Sequence, residues 1–267
     1  MIPQPTISYL TDIYFDFGAV GVLPDLLDRF GLSRPLVITD PDLVGLGILE
    51  RLGMDRAPVF DGVQTNPTEA QVLRGLERYW AEGCDGIVAV GGGSPIDLAK
   101  CVGVLVHHPE PLEQYALLRE GVPRITDRVP PLIAVPTTAG SGSEVGRAAL
   151  VTLTSGDKMG FLSPHLLPEA AVCDPELTLS MPAPLTAATG MDAISHCVET
   201  YCSTRFNPVA DAIALDGLAR GCRHLVTATE QGSDRPGRKA MMMCALEGGL
   251  AFQKGLGAVH SLSHPLG

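Results

Sequence analysis

The sequence predicts an α/β domain built on a mostly parallel sheet, followed by an all-helical domain. Three observations carry this reading. First, short apolar runs, some of them β-branched, end in turn chemistry: "PLVITD" at 35–40, "GIVAVGGGS" at 86–94, "PLIAVPTTAGSGSE" at 131–144 and "AAVCDP" at 170–175. Such runs have the pattern of buried strands. Second, helical patterns lie between the first two strands: "PDLVGLGILERLG", then "TEAQVLRGLERYWAEG", where Val72, Leu73, Leu76 and Trp80 recur at three- and four-residue steps. Alternating helices and strands give a parallel sheet covered on both faces. Third, beyond about residue 180 the strand signal gives way to long helical patterns, from "PLTAATGMDAISHCVETYCS" through "NPVADAIALDGLARGCRHLV" and "RKAMMMCALEGGLAF" to the last segment. The proline in "SMPAPLT" stands where a helix can begin without losing a needed donor. The expected division is residues 1–180 for the sheet domain and 181–267 for the helical one.

Composition narrows the function classes. With 267 residues, 45% apolar and 18% charged, the chain can bury a large core and is not disordered. No apolar run reaches membrane-spanning length, and "MIPQPTISYLTDIYF" lacks the basic and apolar segments of a secretory signal, so a cytoplasmic protein without membrane contact is expected. The formal charge of -11 repels polyphosphate backbones, which argues against nucleic acid and for small-molecule chemistry. Seven scattered cysteines without a C-x-x-C pair indicate neither a disulfide framework nor a zinc finger, and most read as small buried hydrophobes.

Two glycine loops follow predicted strands. In "AVGGGSPIDLAK" a strand runs through Gly91, Gly92, Gly93 and Ser94 into a helix near Pro95. Glycines admit a ligand close to the backbone, and free N–H groups at the helix start attract a phosphate or diphosphate. Asp97 and Lys100 lie in the next turns. The stretch is neither G-x-G-x-x-G nor a P-loop, and a plain strand-to-helix turn is the alternative. The second loop, "PTTAGSGSE", carries Thr137, Thr138, Ser141 and Ser143 around Gly140 and Gly142. Two such loops at strand C-termini suit a Rossmann-like nucleotide crevice. Asp40 ends an earlier strand, where a carboxylate either accepts from a ribose hydroxyl, favouring NAD over NADP, or caps a turn before Pro41. Lys158 either reaches the crevice or is an ordinary exposed lysine.

"GMDAISHCVE" puts Asp192 and His196 four apart, on one helical face, and "GLGAVHSLSHPLG" repeats that spacing with His260 and His264. One carboxylate and imidazoles from neighbouring helices can hold a divalent transition metal, with N and O donors pointing to Fe(II) or Zn(II). The alternatives are a surface ion pair for the first two and core or capping histidines for the others. His107, His108, His165 and His224 read as surface residues, and Glu199 as a solvated helical charge.

Taken in order, "GGGSPIDLAK", "PTTAGSGSEV", "GMDAISHCVETY" and "GLGAVHSLSHPLG" resemble the iron-dependent (group III) alcohol dehydrogenase family over nearly the whole chain. The resemblance implies a dehydroquinate synthase-like architecture, with cofactor and metal meeting in a cleft between the two domains. It implies that Gly92, Gly93 and Ser94 hold the diphosphate, Asp40 the adenosine ribose, and Thr137, Thr138 and Ser141 further parts of NAD, with Asp97 and Lys158 in the same site. Asp192, His196 and His260 would bind iron or zinc, His264 would relay a proton, and Phe252 would line the substrate pocket or belong to the core. Family members carry one more histidine ligand beyond the second histidine, so the helical part is expected to be incomplete, or His264 to substitute.

The activity implied is reversible oxidation of an alcohol to an aldehyde or ketone with NAD(P), by a homodimer or larger homo-oligomer. Rival readings are a zinc-using glycerol dehydrogenase-like enzyme, a metal-free maleylacetate reductase-like enzyme, which the histidines disfavour, and a catalytically silent nucleotide-binding fragment.

Overall fold

The computed structural model describes residues 11–263. The first part is organised by strands β1 (Asp12–Phe15), β2 (Leu36–Ile38), β3 (Val59–Phe60), β4 (Ile87–Gly91), β5 (Leu132–Pro136) and β8 (Ala170–Cys173). They form a parallel sheet in the order β1-β8-β5-β4-β2-β3. Between them run α1 (Leu23–Arg29), α2 (Pro41–Gly45), α3 (Ile48–Arg51), α4 (Glu69–Ala81) and α5 (Gly93–His107). The antiparallel hairpin β6 (Ala148–Thr152) and β7 (Lys158–Leu162) lies apart from the sheet. After Cys173 the described chain has helices only: α6 (Ala183–Cys202), α7 (Pro208–Glu230), α8 (Arg235–Ala251) and α9 (Ala258–Ser263).

The two-residue period of a strand distributes the sheet core. Ile87 and Ala89 face one cluster with Val72 and Leu76 of α4 and Leu98 and Val102 of α5, whereas Val88 and Val90 face Leu23, Leu26 and Ile48. All are buried, so both faces are covered, as a parallel sheet requires. The third cluster joins Ala171 and Cys173 of β8 to Ala193, Cys197, Ala210, Ala214 and Met241 of α6–α8. Small residues let these helices approach closely: a Cβ on Gly221 would stand 2.5 Å from the Ile194 side chain.

The four runs expected as strands are strands, and the long helical patterns are α6, α7 and α8. The stretch 41–53 is broken into α2 and α3 rather than forming one helix, because Gly47 takes a left-handed conformation at φ 73°. Strands β1, β3 and the β6–β7 hairpin were not anticipated. Among the described residues no helix is long and apolar enough to cross a membrane.

Register positions the functional loops. Gly91 pairs with Pro136 at the C-terminal ends of β4 and β5, so the loops that follow must emerge side by side.

Candidate metal and nucleotide site

The two glycine loops touch because their residues are small. A Cβ on Gly92 would lie 3.1 Å from Thr138 Oγ1, and one on Gly93 3.0 Å from Ser141 Oγ. Helix α5 starts at Gly93 with no side chain capping its free N–H groups, which is the backbone arrangement an anionic phosphate needs. Gly93, Ser94 and Ser141 line a cleft of about 1620 Å³ that also reaches Asp192, His196, Phe252 and His260.

Beneath the loops lies a buried polar cluster. Lys100, 2% exposed, donates from Nζ to the carbonyls of Ser143 (2.7 Å), Gly146 (2.8 Å) and Ala148 (2.8 Å) and to Ser143 Oγ (2.9 Å). Burial pushes its pKa down to about 8, against the pull of Asp97 and Glu144. Burial likewise raises the Glu144 carboxyl to about 7. Asp97 accepts from Ser143 Oγ (2.6 Å) and from the Leu150 backbone (2.9 Å), so its carboxylate ties the second loop to the hairpin. Lys100 and Glu144 were not assigned roles from sequence.

Helix α6 supplies Asp192 and His196 from one face, and α9 brings His260 to them. His196 Nε2 lies 3.9 Å and His260 Nε2 3.4 Å from Asp192 Oδ1, and one ligand atom from each of the three residues falls within 4.8 Å of the others. The two rings stack at 4.3 Å between centroids. Burial depresses His196 to about 4, leaving the neutral imidazole that a metal requires. Burial opposes protonation of His260 as well, but Asp192 and Glu199 outweigh it and raise its pKa. His196 Nδ1 has no partner in hydrogen-bonding geometry, although the Gly140 backbone favours its protonation. Two imidazoles and a carboxylate at this spacing fit Fe(II) or Zn(II), and a surface ion pair does not describe Asp192 and His196, because the His196 ring is buried.

The other expected residues divide. Lys158, on β7, lines the cleft and donates to Asn66 Oδ1 at 2.8 Å; burial lowers its pKa against the pull of Asp97. Asn66 itself, at φ 57° beside Pro67, was missed, and its Asn-Pro turn signal does not single out a site. Asp40 caps α2, accepting from Leu43 N at 2.9 Å. Phe252 packs edge-on to His196 at 5.3 Å and lines the cleft. His264 lies outside the described residues. Two expectations are corrected. His108 is buried, with its ring bonded to the Val104 carbonyl and to Thr126. Glu199 is not a solvated charge: it is 7% exposed and bonded to His260 Nδ1.

Two glycine loops beside an uncapped helix start, sharing a cleft with a two-histidine, one-carboxylate cluster, fit one class, the metal-dependent dehydrogenases. The chain belongs to the iron-containing alcohol dehydrogenase family, whose model matches residues 11–175, with the family's C-terminal model matching 186–267. It is 56% identical to a 4-hydroxybutyrate dehydrogenase of Cupriavidus necator over 98% of this chain and 69% of that protein. Among solved structures, a 1,3-propanediol oxidoreductase superposes with a TM-score of 0.90 at 38% identity, over 97% of this chain and 70% of that one. A sulfoacetaldehyde reductase from Bifidobacterium kashiwanohense in complex with NAD+ gives 0.92 at 29% identity, over 99% and 71%.

Proposed function

We propose that the protein catalyses reversible hydride transfer between an alcohol and NAD, with residues 1–180 holding the cofactor and 181–267 contributing the metal ligands. The observation that carries this reading is the convergence of Asp192, His196 and His260 within 4.8 Å, in the cleft lined by the glycine loops. Iron or zinc held by these three residues supplies a Lewis acid for the substrate oxygen, and the nicotinamide supplies the hydride chemistry. The chain's own residues do the rest. Gly92, Gly93 and Ser94 receive the diphosphate at the start of α5, and Thr137, Thr138 and Ser141 line the neighbouring loop. Asp40, which caps α2, is the carboxylate proposed to accept from the adenosine ribose and to disfavour a 2′-phosphate. Lys158, steadied by Asn66, reaches the same crevice. Phe252 covers one side of His196 and keeps water from the reacting centre. His264 is assigned to proton transfer by sequence alone. A cytoplasmic homodimer or larger homo-oligomer is part of this reading.

The substrate class proposed is a hydroxy acid and its semialdehyde. Arg147 and Arg205 both line the cleft, and among the described residues neither has an ion-pair or side-chain hydrogen-bond partner. A guanidinium without an acid partner is suited to a substrate carboxylate. The relative named for 4-hydroxybutyrate agrees with this. The test follows NADH absorbance with the iron-loaded chain on 4-hydroxybutyrate and on butanol. Turnover of the acid in preference to the alkanol, with Arg205→Ala raising KM for the acid alone, is expected. Nucleotide binding without turnover of either substrate overturns the enzyme reading, and a preference for butanol overturns the substrate class.

A further inference from the structure

We infer that Glu199 is a positioning residue for metal binding, holding His260 in the one tautomer and ring orientation that presents Nε2 to the cluster. The inference rests on the metal-dependent reading above. Asp192, His196 and Glu199 occupy positions i, i+4 and i+7 of α6, so they share one face. From that face the Glu199 carboxylate spans to α9, and its two oxygens have separate tasks. Oε2 accepts from His260 Nδ1, and Oε1 accepts from the Val259 backbone N–H at 2.5 Å.

The chemistry of the pair sets the tautomer. A carboxylate only accepts, so Nδ1 must carry a proton, and Nε2, 3.4 Å from Asp192 Oδ1, is the ring nitrogen that would give up its proton to bind a metal. The carboxylate stands against the turn that leads into α9, where the Val259 N–H and His260 Nδ1 both donate to it. The approach is possible because Gly257 is bare there: a Cβ would meet Glu199 Oε1 at 3.0 Å. One carboxylate thus fixes both the entry of the backbone into α9 and the ring it carries. His196 has no carboxylate bonded to its Nδ1, where the Gly140 backbone instead favours protonation. A carboxylate behind a metal-binding imidazole orients the ring and raises its basicity, and removing it typically weakens metal binding about 10–100-fold.

The experiment compares the 267-residue chain with Glu199→Ala and Glu199→Gln, using cobalt(II) as the probe. Cobalt affinity by chelator competition, the visible cobalt spectrum, NAD affinity and the melting of the metal-free protein are read for each. Glutamine keeps the shape but has a single oxygen for two donors, so its amide must face either His260 Nδ1 or Val259 N–H with an NH2 group. Both variants are therefore expected to bind cobalt more weakly, alanine by about 10–100-fold and glutamine by roughly 10-fold, with altered spectra and NAD affinity within about two-fold of the parent. If alanine does not fold, glutamine decides. A role confined to capping α9 lowers the melting temperature of the metal-free protein in both variants but leaves cobalt affinity and spectrum unchanged. That outcome overturns the inference while the metal reading stands. Failure of the unsubstituted chain to take up cobalt overturns the metal reading, and the inference with it.

Discussion

Replacing Lys100 by Met tests whether the nucleotide loops are held from beneath. Methionine is close to lysine in length and volume, so packing around the buried side chain is largely conserved and the change isolates the ammonium. The ammonium has three N–H groups shared among three carbonyls and the Ser143 hydroxyl, all at 2.7–2.9 Å. Three charge-assisted bonds contribute about 1.5–3 kcal/mol each. Against this stands the cost of dehydrating the amine, about 3 kcal/mol from the fall of its pKa to about 8. The net destabilisation expected for Lys100→Met is therefore about 1.5–6 kcal/mol. Urea denaturation at pH 7, where the amine is still protonated, measures it. NAD affinity should fall in the same variant, because Ser143 and its neighbours Ser141 and Gly142 lose their anchor. A loss below about 1 kcal/mol with unchanged NAD affinity would refute the reasoning.

Two further outcomes are expected. Glu144 has its folded pKa raised to about 7 from an ordinary 4.5, so the stability it contributes is complete below pH 4.5 and is lost as pH rises to about 7. Glu144→Gln, which stays neutral, should gain on the parent through that window by up to about 3 kcal/mol and then level off; denaturation at pH 5 and pH 8 compares them, and a difference independent of pH contradicts the assignment. Gly249 of α8 meets the second glycine loop so closely that a Cβ would stand 2.6 Å from the Gly142 carbonyl oxygen and 2.8 Å from its Cα. Gly249→Ala should therefore displace that loop and weaken NAD binding by roughly ten-fold or more, since about 1.4 kcal/mol of overpacking strain suffices; calorimetric titration with NAD checks it, and an unchanged affinity removes the proposed contact.

Much of the architecture was legible because its signals are local. The runs ending at Asp40, Gly91, Pro136 and Cys173 are continuous, apolar and bounded by turn residues, and no helix explains them as well. The hairpin at 148–162 was harder. Its alternation is interrupted by Gly160, and its outer face looks into the cleft rather than into water, so the polar half of the pattern is weak. The signal that could have found it is the "TSGD" turn, with Gly156 at φ 91°. The break at Gly47 was visible as a glycine, but not as a helix end.

The candidate ligands were legible for a different reason, since a four-residue spacing is itself a geometric statement. Glu199 lies one turn beyond His196 and looked like any helical carboxylate. Its partner is 61 residues downstream, and only the packing of α9 against α6 brings them together. Lys100 and Glu144 were obscured in the same way, because a buried charge reads like an exposed one until the groups around it are known.

The central claim is that Asp192, His196 and His260 share one metal ion. Anomalous diffraction at the iron edge, from crystals of the chain grown with Fe(II) and NAD, tests it most directly. The account predicts a single strong peak bounded by the Asp192 carboxylate and the Nε2 atoms of both histidines. Iron bound elsewhere on the protein, with that position empty, would contradict it.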